Sequence, residues 1–339
     1  MKQALWTRAV VGLAIVVGLA APAGADRPAP ARPADGFKPA EGGRWTAPVK
    51  VTGKIDDKTM TATMLVYLPR GYPNGKPAKP DSATKPDPFT MAKADRAVDA
   101  KKYPLVIALH GWNHSPEMMR DKSQLARWAD VYGVVLAVPT MRTTIYETAL
   151  YPESKPESKR TWGTVPGTRW VGEVILPYVR ANYAVHADRA HTAVIGYSTG
   201  GRGAVLLAEA YPEFAFAGSA SGTFDLMRLA PADGEYKIHA VVYGPRDKFA
   251  ARWELDNCTS PARLAQLAGT QLFIAHGGKD KSVLPDQLDA LRDAVKGNAS
   301  VQAEFVVSPD GAHTWEYWNS QWGAMFAALG RALGLPAAP

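Results

Sequence analysis

The chain has 339 residues, of which 46% are hydrophobic and 21% are charged, with a formal net charge of +7 at pH 7. This composition excludes intrinsically disordered and collagen-like proteins, and the length is sufficient for a sizeable core. The basic residues are dispersed or lie in loops such as KPAKPDSATKPDP, so no nucleic-acid partner is expected.

The N-terminus has the pattern of a secretory signal peptide. Lys2 and Arg8 flank the start of an apolar run, AVVGLAIVVGLA, and small residues follow up to Ala25. We predict a signal peptide over residues 1–25 with cleavage after Ala25, and a secreted or periplasmic mature protein. A membrane anchor is the competing interpretation, but the run is shorter than the roughly 20 apolar residues that span a bilayer.

Residues 26–44 are rich in proline, alanine and glycine and are predicted to form a tether. A single catalytic domain is expected over residues 45–335, since no internal repeat is visible. It opens with two β-rich runs, VKVTGKI and MTATMLVYLP, which predict antiparallel strands at one edge of a sheet. Residues 76–102 are interpreted as a surface insertion with a short helix around AKADRAVDA.

From Tyr103 onward, short apolar runs alternate with helical patterns. The strand-like runs include LVIALHG, VVLAVPT, HTAVIGYS, FAFAGSA, QLFIAHG and VQAEFVVS. Continuous apolar strands interleaved with helices predict an α/β fold whose mostly parallel central sheet is covered by helices on both faces. In the last predicted helix, one face carries Trp315, Trp318, Trp322, Phe326 and Leu329, which indicates core packing.

The segment VIGYSTGGRGA places Ser198 between Gly196 and Gly200, after an apolar strand and before an apolar helix. This is the context in which G-x-S-x-G makes a nucleophile turn. The turn is so tight that flanking glycines are needed to avoid collisions of Cβ atoms. The alternative is a glycine-rich turn of purely structural importance. We favour Ser198 as a nucleophile.

A serine hydroxyl needs a base, and seven histidines are available. His313 is the best placed, in the loop SPDGAHTW after the last apolar strand. His186 and His191 flank the strand that leads to Ser198, and His239 falls in a predicted strand. These three are interpreted as structural.

An acid must orient the imidazole of the base. Asp280, in AHGGKDKSV, follows the penultimate core strand, and the order Ser198, Asp280, His313 is the order found in α/β-hydrolases. Asp225, in SGTFD, is the rival acid, and Asp286 and Asp310 are weaker candidates.

Two backbone amides are predicted to stabilise an oxyanion: that of Thr199, directly after the serine, and that of Trp112 in ALHGWNH. A metal site at His110 and His114 is disfavoured, because no third ligand lies nearby at a suitable spacing. The unpaired Cys258 is interpreted as a buried or semi-buried residue without a catalytic role. No metal or organic cofactor is expected.

Together these residues resemble the esterase D-like, putative-esterase family of α/β-hydrolases, which includes S-formylglutathione hydrolases, feruloyl and acetyl-xylan esterases, and mycolyltransferases. The resemblance is carried by LHGW, by DRAHTAVIGYSTGGRGAVLLAEAYPEF, by IAHGGKD and by GAHTWEYW. It implies the α/β-hydrolase fold, Ser198 as nucleophile, Asp280 as acid, His313 as base, and the amides of Trp112 and Thr199 as the oxyanion hole. Thr199 stands where many relatives carry methionine or alanine, and the loop 141–164 has no assigned counterpart.

The resulting interpretation is an exported serine esterase that acts on a small-molecule or polysaccharide-linked ester. Two alternatives stay open. The acyl group could pass to a sugar or another alcohol in place of water, or the chain could be a non-catalytic surface- or carbohydrate-binding protein on a hydrolase scaffold. The acyl and alcohol parts of the substrate and the oligomeric state are not encoded in any recognisable motif.

Overall fold

The computed structural model describes residues 42–73, 101–151 and 163–337. The predicted signal peptide, most of the tether, the short helix around AKADRAVDA and most of the 76–102 insertion lie outside the described residues. Within those ranges, no helix combines the length and apolar character that a membrane crossing requires.

Three antiparallel strands begin the described chain: β1 (Arg44–Trp45), β2 (Val49–Ile55) and β3 (Lys58–Leu68). β3 pairs with both β1 and β2, which confirms the predicted antiparallel edge. Arg44 was assigned to the tether, but it pairs with Leu68 and its guanidinium donates to the carbonyl oxygen of Pro73 at 3.1 Å. The last residue of the predicted tether therefore belongs to strand β1.

Six further strands are mutually parallel: β4 (Leu105–Leu109), β5 (Val135–Pro139), β6 (Thr192–Tyr197), β7 (Phe216–Ala220), β8 (Gln271–Gly277) and β9 (Gln302–Ser308). The sheet order is β1-β3-β5-β4-β6-β7-β8-β9, with β2 paired to β3 and β3 antiparallel to β5. Each of these apolar runs was predicted as a strand, and the structure confirms the mostly parallel sheet.

The helices lie between these strands. They are α1 (Pro116–Lys122), α2 (Leu125–Tyr132), α3 (Gly167–Arg169, continuing through a π-helical turn Trp170–Ile175 into Leu176–Asn182), α4 (Thr199–Ala210), α5 (Gly234–Tyr243), α6 (Arg246–Leu255), α7 (Pro261–Leu264), α8 (Asp286–Val295) and α9 (Trp315–Ala332). Ser115 caps α1, because its hydroxyl accepts a hydrogen bond from the amide of Met118 at 3.3 Å.

Alternate residues of the central strands face two separate apolar clusters. Leu105 and Ile107 of β4 pack with α3, α4 and α8, whereas Val106 and Ala108 pack with α1, α2 and α9. Both faces of the sheet are therefore covered, which explains why the strands read as continuous apolar runs. The predicted core face of α9 is confirmed, with four of its five large residues buried: Trp318, Trp322, Phe326 and Leu329.

A third apolar cluster joins α5 and α6 to the loop after β5. His239 lies within it, in α5, so its predicted position in a strand is wrong. The run IHAVVY resembles a strand in composition, but its buried positions His239, Val242 and Tyr243 follow helical spacing while Val241 is exposed. Trp253 of α6 packs against this face, and tertiary packing therefore overrides the β-branched composition.

Candidate active site

The predicted site residues all follow strands of the parallel sheet. Ser198 follows β6, Asp280 follows β8 and His313 follows β9, while Trp112 follows β4. Because parallel strands end at the same edge of the sheet, their loops meet on one side of the molecule. The structure brings Ser198, Asp280 and His313 together at this carboxyl edge.

The backbone at Ser198 is held in an uncommon conformation, with φ 56° and ψ −131°. Its amide donates to the carbonyl oxygen of Ala220 at 2.8 Å, which fixes the turn against the neighbouring strand. A Cβ atom added to Gly196 would lie 2.2 Å from the carbonyl oxygen of Gly200, and one added to Gly200 would lie 2.3 Å from that of Leu109. Only glycine fits at these two positions, because the obstructing atoms belong to the backbone.

A chain of two hydrogen bonds links the three side chains. Nε2 of His313 lies 2.9 Å from Oγ of Ser198, and Nδ1 of His313 lies 2.8 Å from Oδ2 of Asp280. Asp280 is buried, whereas part of His313 is open to solvent. A carboxylate on Nδ1 selects the tautomer whose Nε2 can accept the serine proton. The indole of Trp318 meets the His313 ring edge to face at 5.0 Å and supports its orientation.

Asp280 is held ionised by its surroundings. Its other oxygen, Oδ1, accepts hydrogen bonds from the amides of Ser282 and Val283 at 2.9 and 3.0 Å. Burial alone would raise the pKa of Asp280, but the hydrogen bond and charge of His313 outweigh burial, so the pKa lies below its ordinary value. The buried carboxylate is thus ready to stabilise an imidazolium.

The rival acids are placed elsewhere. Asp225 accepts a hydrogen bond from the amide of Met227 and pairs with Arg228 at 3.1 Å. Asp286 lies in the first turn of α8, and Asp310 is exposed and pairs with Lys279 at 2.6 Å. Of the four candidate acids, Asp280 is the one whose carboxylate contacts His313.

The two predicted amides border the serine. A Cβ atom added to Gly111 would lie 3.0 Å from Cβ and 3.4 Å from Oγ of Ser198, so the Gly111–Trp112 peptide lies directly against the hydroxyl. Among the hydrogen bonds of the described residues, the amides of Trp112 and Thr199 have no partner. The Thr199 amide also lies at the N-terminus of α4, where the helix dipole favours negative charge. Both amides are available to an anion.

Sequence analysis missed the part played by the side chain of His110. This buried imidazole accepts a hydrogen bond from the amide of Met141 at Nε2, so Nδ1 carries the proton and donates to the carbonyl oxygen of Gly111 at 2.8 Å. In a trans peptide the C=O and N–H bonds point in opposite directions, so holding the Gly111 carbonyl also aims the Trp112 amide. Burial lowers the pKa of His110 to about 4, which keeps it neutral.

The other histidines have distinct surroundings. Nδ1 of His114 lies 2.7 Å from the hydroxyl of Tyr197 and its ring stacks on Trp315, while both nitrogens of His110 are occupied. Both nitrogens of His110 therefore already have hydrogen-bond partners. Cys258 is buried, and burial raises the pKa of its thiol, in keeping with the structural interpretation.

Comparison with known proteins shows the family and the fold to which the chain is similar. The sequence model of the family described as "Putative esterase" matches residues 96–329. A diacylglycerol acyltransferase/mycolyltransferase, Ag85B of Mycobacterium leprae (strain TN), is 31% identical over 158 residues, which are 40% of this chain and 47% of the relative. The match thus spans about half the length of that relative.

Solved structures share the fold at lower identity. A ferulic acid esterase superposes with a TM-score of 0.60 at 19% identity, over 86% of this chain and 99% of that chain. S-formylglutathione hydrolase (FrmB) from Staphylococcus aureus superposes with a TM-score of 0.56 at 16% identity, again over 86% and 99%. The fold is therefore the α/β-hydrolase fold that the sequence predicted.

Proposed function

The chain belongs to the putative esterase family, and on this premise we propose that it hydrolyses carboxylic esters through an acyl-enzyme on Ser198. The observation that carries the proposal is the unbroken hydrogen-bond chain from Ser198 through His313 to buried Asp280. A nucleophile, a base and an acid in this geometry meet the requirements of acyl transfer.

In the first step, Oγ of Ser198 attacks the ester carbonyl carbon while Nε2 of His313 takes the hydroxyl proton. The new C–O bond leaves a negative charge on the former carbonyl oxygen. The amides of Trp112 and Thr199 donate hydrogen bonds to that oxygen, and the His110 side chain keeps the Trp112 amide aimed at it. Asp280 stabilises the imidazolium that forms on His313.

The tetrahedral intermediate then collapses, the ester C–O bond breaks, and His313 returns its proton to the leaving alcohol. In the second half-reaction, water gives a proton to His313 and attacks the acyl carbon. The acid departs when the bond to Ser198 breaks, and the serine recovers its proton from His313. Ester and water are thereby converted to acid and alcohol with no other reactant.

An acyltransferase is the second candidate, since the matched Ag85B of M. leprae bears that name. An alcohol acceptor would take the place of water in the second half-reaction, and the residues of the first half-reaction would be unchanged. The side chain of Trp112 packs against the apolar cluster formed by α5, α6 and the loop after β5, so apolar surface borders the oxyanion region. Such a wall suits the acyl or aryl part of a small-molecule or polysaccharide-linked ester.

Export is part of the proposal and rests on the pattern of residues 1–25. N-terminal sequencing of the protein recovered outside the cytoplasm should begin at Asp26. Recovery of the uncleaved chain in the cytoplasm would contradict export but would not contradict the proposed reaction.

The decisive experiment compares turnover of p-nitrophenyl acetate and butyrate by the wild type and by Ser198→Ala. We expect the variant to lose activity by a factor on the order of 10³ or more. Ser221→Ala is the matched control: Ser221 is also buried with φ 56°, but its Oγ accepts from the indole of Trp318 and does not contact His313.

A Ser221→Ala variant that keeps its activity within about tenfold would assign the loss to the nucleophile and not to local packing. Product analysis with added alcohols would then separate hydrolysis from acyl transfer. If folded wild type hydrolyses neither ester faster than Ser198→Ala, simple-ester hydrolysis is wrong, and the transferase and the non-catalytic binding protein become the leading hypotheses.

A further inference from the structure

Three side chains that commonly bind metals meet at the amino end of β6, away from Ser198. Nδ1 of His191 lies 2.7 Å from Oδ1 of Asp188, and Nδ1 of His186 lies 3.8 Å from Oδ2 of the same carboxylate. The two imidazoles stack with centroids 4.0 Å apart, so both Nδ1 atoms face one side. One donor atom from each residue falls within 4.8 Å of the other two.

These separations are close to those of a zinc site. Zinc binds histidine nitrogen and carboxylate oxygen at about 2.0–2.2 Å, which in a tetrahedron places ligand atoms about 3.4 Å apart. Nδ1 of His191 contacts one oxygen of Asp188 and Nδ1 of His186 faces the other, and one donor atom of each residue lies within 4.8 Å of the other two, so small side-chain rotations would bring the three onto one ion. All three side chains are partly open to solvent, with side-chain exposures of 31% for His186, 54% for Asp188 and 34% for His191, so the imidazoles can turn toward an ion.

The backbone that carries the three residues is firmly held. The amide of His186 donates to the carbonyl oxygen of Tyr103 at 3.0 Å, and the carbonyl oxygen of Asp188 accepts from the hydroxyl of Thr192 at 2.8 Å. Arg189 lies between the ligands in sequence, but its guanidinium bonds to Thr270 at 2.9 Å and is directed away. The backbone of the cluster is therefore pre-organised, and the guanidinium of Arg189 is engaged elsewhere.

We propose that His186, Asp188 and His191 bind one divalent transition-metal ion, with zinc as the best match and water completing its coordination. Two imidazole nitrogens and one carboxylate suit zinc, whereas calcium and magnesium prefer oxygen ligands throughout. Sequence analysis interpreted both histidines as structural, and the proposal gives them a specific structural role as ligands of a metal ion.

The ion would be structural and not catalytic. β6 has six residues, and at about 3.3 Å per residue it separates the cluster from Ser198 by about 20 Å. A bound ion would connect His186, on the segment that pairs with Tyr103, to the turn that starts β6. It should therefore raise the midpoint of thermal unfolding and leave ester hydrolysis unchanged.

The test is calorimetric titration of the full, untagged chain with zinc chloride after removal of metals by a chelator. Wild type should bind one equivalent. His186→Gln, His191→Gln and Asp188→Asn should each weaken binding at least about tenfold, since even indirect supporting residues commonly contribute that much to metal affinity. His114→Gln is the matched control, because His114 is also half-buried but its Nδ1 contacts the hydroxyl of Tyr197 and not a carboxylate.

Thermal unfolding without metal should differ little between wild type and the three ligand variants, because contacts between partly exposed charged side chains contribute little to stability. Zinc should then raise the midpoint for wild type and His114→Gln only. The proposal is overturned if wild type binds no zinc, or if the ligand variants that fold bind it as tightly as wild type. It is also overturned if His114→Gln loses binding to the same extent.

Discussion

The two ends of strand β6 show opposite ways of placing polar residues. At its carboxyl end, Ser198 is buried in an uncommon backbone conformation, between glycines whose Cβ positions are occupied by neighbouring backbone. At its amino end, His186, Asp188 and His191 lie on ordinary backbone with side chains partly open to solvent. One strand thus joins a strained, closely packed region to a relaxed, open one.

The two edges of the sheet differ in how closely the backbone is packed around the polar residues. At the carboxyl edge, loops from β4, β6, β8 and β9 contact one another through backbone atoms, so a displacement of one loop moves the others. At the amino edge, His186, Asp188 and His191 contact one another through partly exposed side chains. Substitutions at the carboxyl edge should therefore have large effects on activity or folding, and comparable ones at the amino edge should have small effects.

The strongest effect on activity, after loss of the nucleophile itself, is expected for Asp280→Asn. An asparagine would leave the imidazolium unstabilised and favour the wrong tautomer of His313, so kcat for p-nitrophenyl acetate should fall by about 10⁴. Asp225→Asn, which alters the rival acid, should stay within about tenfold of wild type in the same assay. Equal losses in the two variants would contradict the assignment of Asp280.

A large effect on folding is expected for Gly200→Ala. The new Cβ would lie 2.3 Å from the carbonyl oxygen of Leu109 and 2.6 Å from that of His110. Either the loop after β4, which carries the Trp112 amide, or helix α4 must therefore move. We expect unfolding by urea to show a loss of at least about 3 kcal/mol.

The control for this change is Gly297→Ala, near the amino end of β9. An added Cβ there has no atom within 4 Å among the described residues. Its stability should remain within about 0.5 kcal/mol of wild type or rise slightly, since alanine restricts the unfolded chain. If both variants lose the same free energy of unfolding, close packing at the carboxyl edge does not explain the destabilisation of Gly200→Ala.

The loop after β5 contacts His110 through the Met141 amide and contains the buried residue Glu147, which should make stability depend on pH. Glu147 is buried, and burial raises its pKa to about 7, although Thr144 and the amide of Gly167 donate to its carboxyl group. Between the unfolded value of about 4.5 and pH 7, the folded chain retains a proton that the unfolded chain has lost, so stability falls as pH rises through this window.

Glu147→Gln removes this titration. Between pH 5 and pH 8, the free energy of unfolding of wild type relative to Glu147→Gln should fall by about 2 to 3 kcal/mol. Glu304→Gln is the control, because it alters an exposed pair with Arg331. Between pH 5 and pH 8, the free energy of unfolding of wild type relative to Glu304→Gln should change by no more than about 0.5 kcal/mol. Urea unfolding at the two pH values measures both, and parallel curves for wild type and Glu147→Gln would refute the expectation.

A smaller effect on activity is expected for His110→Phe, which fills the site but removes the hydrogen bonds to the Gly111 carbonyl and from the Met141 amide. As His110 acts by positioning the Trp112 amide, kcat should fall about 10- to 100-fold with little change in KM. His110→Asn retains a donor near the Gly111 carbonyl and should restore part of the loss. His186→Gln, at the other end of β6, should leave both constants unchanged; a changed KM in His110→Phe with normal kcat would indicate a different role.

Much of this architecture could be predicted from the sequence. Uninterrupted apolar runs identified each parallel strand, because a strand covered on both faces needs no polar alternation. G-x-S-x-G after such a run located Ser198, and chain order together with strand position selected Asp280 and His313 as neighbours. The secondary structure of IHAVVY could not be predicted from its apolar composition, which suits a strand. Packing against Trp253 favours the helix that the structure shows.

Sequence alone determined the α/β fold class through its hydrophobic pattern, the family through the resemblance of its motifs, and Ser198 and His313 as site candidates through their positions after apolar strands. Tertiary structure decided the rest. Whether Asp280 or Asp225 contacts His313, which way the Gly111–Trp112 peptide points, and that His186, Asp188 and His191 converge all depend on distances between segments brought together by folding. Hydrogen bonds are sensitive to displacements of less than 1 Å, and no periodicity in a sequence records a distance that small.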